Sequence, residues 1–214
     1  MCVNFQTPSP NQLRAFFAVE PGDGQWQDEA WQDYLAPILT RDGVRLASYG
    51  FIPKRHQPAG VRLSTMNARA ETLGQLRSYR DAWHNCQLCL VPMRAFFEPC
   101  YESGRAVRMR IGLADGAPFA VAGLWREWRE ADGSVSASFT QITINADHHP
   151  LMRRMHRPGD EKRTLVIVSP SQYDAWLNCR NPETARAFLA AWPAEFMAAE
   201  PETPDPPLQG SLFD

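Results

Sequence analysis

The chain has 214 residues, 44% of them hydrophobic and 11% aromatic, which is enough to bury one sizeable core and favours one domain over two. It has no run of about 18 apolar residues and lacks the basic-then-apolar layout of a secretory signal, so the expectation is a soluble protein of the cytoplasm or nucleoid with no membrane association. The net charge of −2 hides an asymmetry: five acids and no base after residue 192 leave 22 bases against 19 acids before it, a weak basic bias compatible with a nucleic-acid partner.

In chain order, SPNQLRAFFAV predicts an amphipathic helix, with Ser9 as N-cap, Pro10 in the first helical position and Leu13, Phe16 and Phe17 on one side. The stretch from Pro21 to Gln32 is rich in Gly, Asp and Gln and reads as loop. Seven short apolar runs follow: RLASYGF, QLCLV, RAFFE, AVRMRIGL, PFAVAGLW, SFTQITIN and TLVIVS, punctuated by turn signals such as Asp115-Gly116 and Asp132-Gly133. Strands at this spacing predict a largely antiparallel sheet system. Ser169-Pro170 and Asn181-Pro182 each pair a cap with a proline, opening helices through Trp176 and through Phe188 to Trp192. The expected class is α+β with a β-rich middle. From Pro193 onward Pro, Glu and Asp dominate, which predicts a domain over residues 1–192 and a disordered tail over 193–214.

The first chemical feature is Cys2. Methionine aminopeptidase trims Met1 when the next residue is small, so the mature chain would begin with a 1,2-aminothiol. Its α-amine has a reference pKa of about 7.7–8.0 and its thiol one of about 8.5, so both are partly nucleophilic at neutral pH. The amine can form a Schiff base with an aldehyde, and the thiol can close on that imine to a thiazolidine. The same group could instead be the self-activated nucleophile of an amidase. A cysteine at position 2 by chance is the plain alternative.

Three further segments bear on the choice. In STMNARAET, alternation would place Asn67, Arg69 and Glu71 on one face of an extended segment. RAFFEP puts Glu98 behind two aromatics, a setting suited to a general acid or base. MHRPGDEKRT sets His156 beside a Pro-Gly turn and a charged run, just before TLVIVSP. Each segment by itself also fits an ordinary polar face, a strand-end carboxylate or a solvated loop histidine.

Taken together and in order, Met-Cys, NARAET, FFEP and HRPGDEKR followed by an apolar strand and Ser-Pro resemble the SRAP family, the SOS-response-associated peptidases, also described as abasic-site processing proteins. The likeness runs from Cys2 to about Trp176. It implies a β-rich SRAP-like fold of mainly antiparallel strands with flanking helices. It also implies a protein that binds single-stranded DNA and condenses Cys2 with the aldehyde of an abasic site to form a DNA–protein crosslink. Carried over residue by residue, Cys2 would be the nucleophile and Asn67 would hold its amine. Glu98 would assist ring opening and His156 would shuttle protons. Arg69 would hold a phosphate, with Lys54, Arg55 and Arg157 as further DNA contacts. No metal and no cofactor is implied. Thiol peptidase activity through Cys2 and a catalytically silent DNA-binding module are the competing readings.

The chain departs from the family pattern in places. Cys2-Val3-Asn4-Phe5 stands where members commonly read Cys-Gly-Arg-Phe, and Lys54-Arg55-His56 follows Gly50-Phe51-Ile52-Pro53 where many members carry aromatics. His148 and His149 compete with His156 for the histidine role. Among the five cysteines, Cys86, Cys89 and Cys100 with His84 superficially offer zinc ligands. An odd offset along a strand, however, would send Cys86 and Cys89 to opposite faces, so core or surface thiols are expected. At the C-terminus, Gln209, Ser211, Leu212 and Phe213 resemble the bacterial sliding-clamp motif, with two large apolar residues on an acidic tail that have no core nearby. A partner clamp reached through Gln209, Leu212 and Phe213 would concentrate the body at replicating DNA.

Overall fold

Local sequence chemistry explains how the chain starts. In the computed structural model, which describes residues 3–202, β1 (Phe5–Gln6) leads into α1 (Pro10–Phe17). Ser9 caps the helix as expected: its hydroxyl accepts from the Gln12 amide while the Gln12 side chain accepts from the Ser9 amide. Pro10 fills a position whose N–H has no helical acceptor. The following loop is broken only by β2 (Glu29–Ala30).

The strand-rich body then unfolds in order: β3 (Leu35–Thr40), β4 (Gly43–Tyr49), β5 (Asn67–Arg69), α2 (Arg80–His84), β6 (Leu88–Met93), β7 (Ala95–Cys100), β8 (Val107–Leu113), β9 (Phe119–Arg129) and β10 (Val135–Asn145). It closes with β11 (Arg163–Leu165), β12 (Ile167–Val168), α3 (Tyr173–Leu177), α4 (Pro182–Arg186) and β13 (Met197–Pro201). All seven apolar runs form strands, the last of them split into β11 and β12. Both turn signals hold: Asp115 and Asp132 accept from the amides two residues on, and Gly116 and Gly133 take the positive φ their turns need.

One sheet is wholly antiparallel, in the order β13-β8-β7-β1-β2. The other closes on itself: β4, β3, β6, β9 and β10 form a ring, because β10 pairs with β9 on one side and with β4 on the other. β5 and β11 extend the ring along β10, and β12 extends it along β9. Only β4 and β5 run parallel to β10, so the mainly antiparallel expectation holds.

Two buried clusters hold these layers together. One draws on both sheets, with Phe5 edge-on to Tyr49 and Phe139, and with Phe96, Phe119 and Met155. The other lies beneath the helices and contains Trp83, Leu90, Leu124 and Trp176, whose indole N–H donates to the Cys89 carbonyl at 2.8 Å. Gly123 on β9 permits close packing between them. A Cβ there would lie 2.6 Å from the Thr140 carbonyl oxygen and 2.9 Å from the Cys89 sulfur.

The structure corrects three expectations. The tail does not begin at Pro193, because Ala194–Phe196 form a helical turn and β13 pairs with β8 over five residues, burying Met197. Edge strand β8 has open backbone groups, and pairing satisfies them despite the acidic, proline-bearing composition of the segment. The helix expected to reach Trp192 stops at Arg186. Cys86 is not in a strand: it occupies a turn with φ +47° and packs in the helix-side cluster, whereas Cys89 faces the inter-sheet cluster. The two thiols are separated as the sequence reading expected, although a turn rather than strand alternation separates them.

Candidate functional site

Strand alternation positions the first site residue. On β7, Phe96, Glu98 and Cys100 share one face, and Glu98 is only 4% exposed among buried aromatics. A carboxyl in that position needs a partner. His156 supplies it, with Nε2 3.0 Å from a Glu98 carboxylate oxygen and a side chain that is itself buried. The backbone makes this contact available at some conformational cost. His156 has φ +62°, a left-handed conformation that costs a non-glycine residue about 1–2 kcal/mol. It is held there by its own N–H donating to the Pro99 carbonyl at 2.7 Å and by the Met155–Cys100 bridge. The Lys162 ammonium adds a third restraint by donating to the carbonyls of His156 (3.3 Å) and Arg157 (2.7 Å).

The N-terminal end of the described chain approaches the same place. β1 is antiparallel to β7 with Phe5 opposite Phe96 and Gln6 opposite Ala95, so stepping back from Phe5 to Val3 moves along β7 from Phe96 towards Glu98. Asn4 is buried and donates to the Glu29 carboxylate. Glu29 also takes the Arg108 guanidinium, so this position is turned into the body. Cys2 lies outside the described residues, as do Gln209, Ser211, Leu212 and Phe213.

Asn67 and Arg69 lie on β5 beside β10, as an extended segment should place them, but the strand ends there and Glu71 falls in a helical turn. That turn has its own use. Arg163, only 2% exposed, donates to both Glu71 carboxylate oxygens at 3.0 and 2.8 Å, to Glu161 at 2.7 Å and to the Thr143 carbonyl at 2.7 Å. The second Glu161 oxygen contacts Arg69 at 2.6 Å. Partial burial pushes Glu71 up, but the hydrogen bonds and charge of Arg163 outweigh it and leave Glu71 below the usual carboxylate range. The Arg163 hydrogen bond likewise lowers Glu161. Glu161 therefore links β5 to the segment that carries His156. Arg163 closes the motif HRPGDEKR, and its only signal in the sequence is a base entering an otherwise apolar strand.

The other candidates separate. Lys54 and Arg55 lie in a helical turn away from the His156 contacts, paired with Asp33 and Glu130. Next to them His56 stacks on Trp128 at 4.2 Å, and the Arg126 guanidinium lies 4.0 Å from the same ring. Hydrogen bonds from Arg55, Ser136 and His56 bring Glu130 down to about 2. Arg157 is exposed beside His156 and donates to the Tyr101 hydroxyl at 3.3 Å. His149 is occupied structurally: one ring nitrogen accepts from the amides of Leu151 and Met152, and the other reaches the Trp192 carbonyl at 2.8 Å. His148 is exposed, which leaves His156 as the histidine joined to Glu98. Among the described residues no cluster of His, Cys, Asp or Glu is arranged to hold a metal ion.

Comparison with known proteins gives concordant matches. The family model described as SOS response associated peptidase (SRAP) matches residues 1–203. The abasic site processing protein YobE of Bacillus subtilis is 30% identical over 173 residues, covering 78% of this chain and 75% of its own length. YoaM of the same organism is 29% identical, covering 78% of this chain and 73% of its own. A crystal structure of a Bordetella bronchiseptica protein superposes with a TM-score of 0.85 at 34% identity, covering 94% of this chain and all of that one. A Bacteroides thetaiotaomicron structure shares the fold, with a TM-score of 0.75 at 21% identity over 95% of this chain and 93% of that one.

Proposed function

This chain belongs to the SOS response associated peptidase family, and from that premise we propose that it captures abasic sites in single-stranded DNA covalently, through Cys2 once Met1 has been removed. The observation that supports this reading is the buried Glu98–His156 pair, towards which the register of β1 on β7 runs as the chain is followed back from Phe5 to Val3. The Cys2 amine attacks the aldehyde carbon of the ring-opened deoxyribose. The resulting carbinolamine loses water to give an imine, and the thiol then adds to the imine carbon while its proton passes to nitrogen. The product is a thiazolidine, and the balance is one water lost.

Each proton step has a group to serve it. Glu98 takes the hydroxyl proton that opens the sugar hemiacetal, and His156 returns a proton to the departing water. Their burial keeps the exchange within the pair. Asn67 holds the cysteine amine, and Arg69 takes a phosphate, with Lys54, Arg55 and Arg157 as further backbone contacts. Gln209, Leu212 and Phe213 anchor the acidic tail to the replication clamp.

Intact mass spectrometry after incubation with an abasic oligonucleotide tests this. The expected species lacks Met1 and gains the oligonucleotide mass less one water. It is absent in Cys2→Ala and forms about 10²–10⁴-fold more slowly in Glu98→Gln and His156→Asn. Peptide cleavage by Cys2 without an adduct would establish the peptidase reading. Salt-sensitive DNA binding without an adduct would establish a silent binding module.

A further inference from the structure

A cleft of about 610 Å³ opens beside His156, walled by Tyr101, Glu102, Asp147, Arg153, Arg154 and Lys162. Its volume is in the range of small-ligand sites. Its charges are unevenly compensated. Glu102 is held by a two-point contact from Arg154 at 2.9 and 2.7 Å. Asp147 accepts from the Asn145 side chain and from the Lys162 amide, both at 2.8 Å. Both acids in the wall are therefore already engaged.

Arg154 is spent on Glu102, but the other cations are less fully compensated. The Arg153 side chain is exposed and has no ion pair or hydrogen bond among the described residues. The Lys162 ammonium contacts only two backbone carbonyls. Arg157, at the rim, contacts only the Tyr101 hydroxyl. Arg153, Lys162 and Arg157 make no direct ion pair with a carboxylate, although Asp147 and Asp160 act on Lys162 and Arg157 electrostatically, and they border an opening that the histidine of the acid–base pair also lines. An anion seated there would lie next to the reacting sugar, and a phosphodiester suits it, because a guanidinium can grip two phosphate oxygens at once.

We propose that this cleft is a subsite for a phosphodiester directly flanking the abasic sugar, with Arg153 as its main contact and Lys162 and Arg157 supplying the surrounding positive potential. The assignment rests on the DNA-capture reading. It places one backbone phosphate on the His156 side of the reaction and leaves Arg69 to hold another.

The test combines Arg153→Ala with oligonucleotides that carry one uncharged methylphosphonate linkage, either 5′ or 3′ to the abasic site or four nucleotides away. Arg153 has no side-chain partner, so the variant should melt within about 1 °C of wild type. At one flanking linkage, neutralisation should slow wild-type crosslinking about tenfold. Arg153→Ala should show the same loss on native DNA and no further loss with that linkage, while the distant linkage affects both proteins equally. Native crosslinking rates in Arg153→Ala, or losses that multiply when variant and linkage are combined, would overturn the subsite. If wild type forms no crosslink, the capture reading fails. The same oligonucleotides then test the cleft by fluorescence anisotropy, where linkage-specific coupling to Arg153 sustains the subsite and its absence removes it. Equal weakening of binding to an acidic peptide would reassign the cleft to peptide.

Discussion

Arg163→Met isolates the network that joins β5 to the His156 segment. Methionine retains most of the apolar stem of arginine, so the loss is chiefly polar. The buried Thr143 carbonyl loses a 2.7 Å hydrogen bond, at about 1–3 kcal/mol. Glu71 and Glu161 are 49% and 35% exposed and can regain water, so each lost ion pair adds only about 0–1 kcal/mol. The total is about 1–5 kcal/mol, or a fall in Tm of roughly 2–20 °C for a domain of this size. Both carboxylates lie below their ordinary 4.5 in the folded protein, so their share of stability is complete above that pH and disappears as pH falls. The difference between wild type and variant should therefore shrink in urea melts at pH 4 compared with pH 7.5. A loss under about 0.5 kcal/mol at pH 7.5, or a difference that grows at pH 4, would refute the assignment.

Four further outcomes are expected. Gly123→Ala should destabilise by about 1–3 kcal/mol in urea melts, since its Cβ would meet the Thr140 carbonyl and the Cys89 sulfur at under 3 Å. His156→Ala and His156→Gly both remove the partner of buried Glu98 and should both destabilise, but only glycine takes φ +62° without strain, so the alanine variant should have the lower Tm; equal melts would show that the strain is not real. Glu130, lowered to about 2, contributes stability above 4.5 that is lost as pH falls through about 2, so Glu130→Gln should flatten the acid limb of the stability curve in that window. Glu161→Gln should tighten single-stranded DNA binding by removing the carboxylate that competes for Arg69, and weaker binding in anisotropy titrations would show instead that Glu161 positions Arg69.

What the sequence determined by itself was local. Ser9-Pro10, Asn181-Pro182 and the Asp-Gly turns act through atoms two or three residues away, and period-two apolar runs already carry their burial pattern, so the α1 cap and all seven strand runs were legible. The motif residues could be named, but only the tertiary structure decided which of them meet. Glu98 and His156 come together because β7 buries one and a left-handed turn, stapled by Lys162, aims the other. β13 has no strand signature in MAAEP and exists because β8 offers an open edge, with Glu202 bound to Arg108 just beyond it. Arg163 and Arg153 look alike in a list of bases. Packing buries the first against two carboxylates and the Thr143 carbonyl and leaves the second exposed in the cleft wall, because burial and compensation of charge depend on residues far away along the chain.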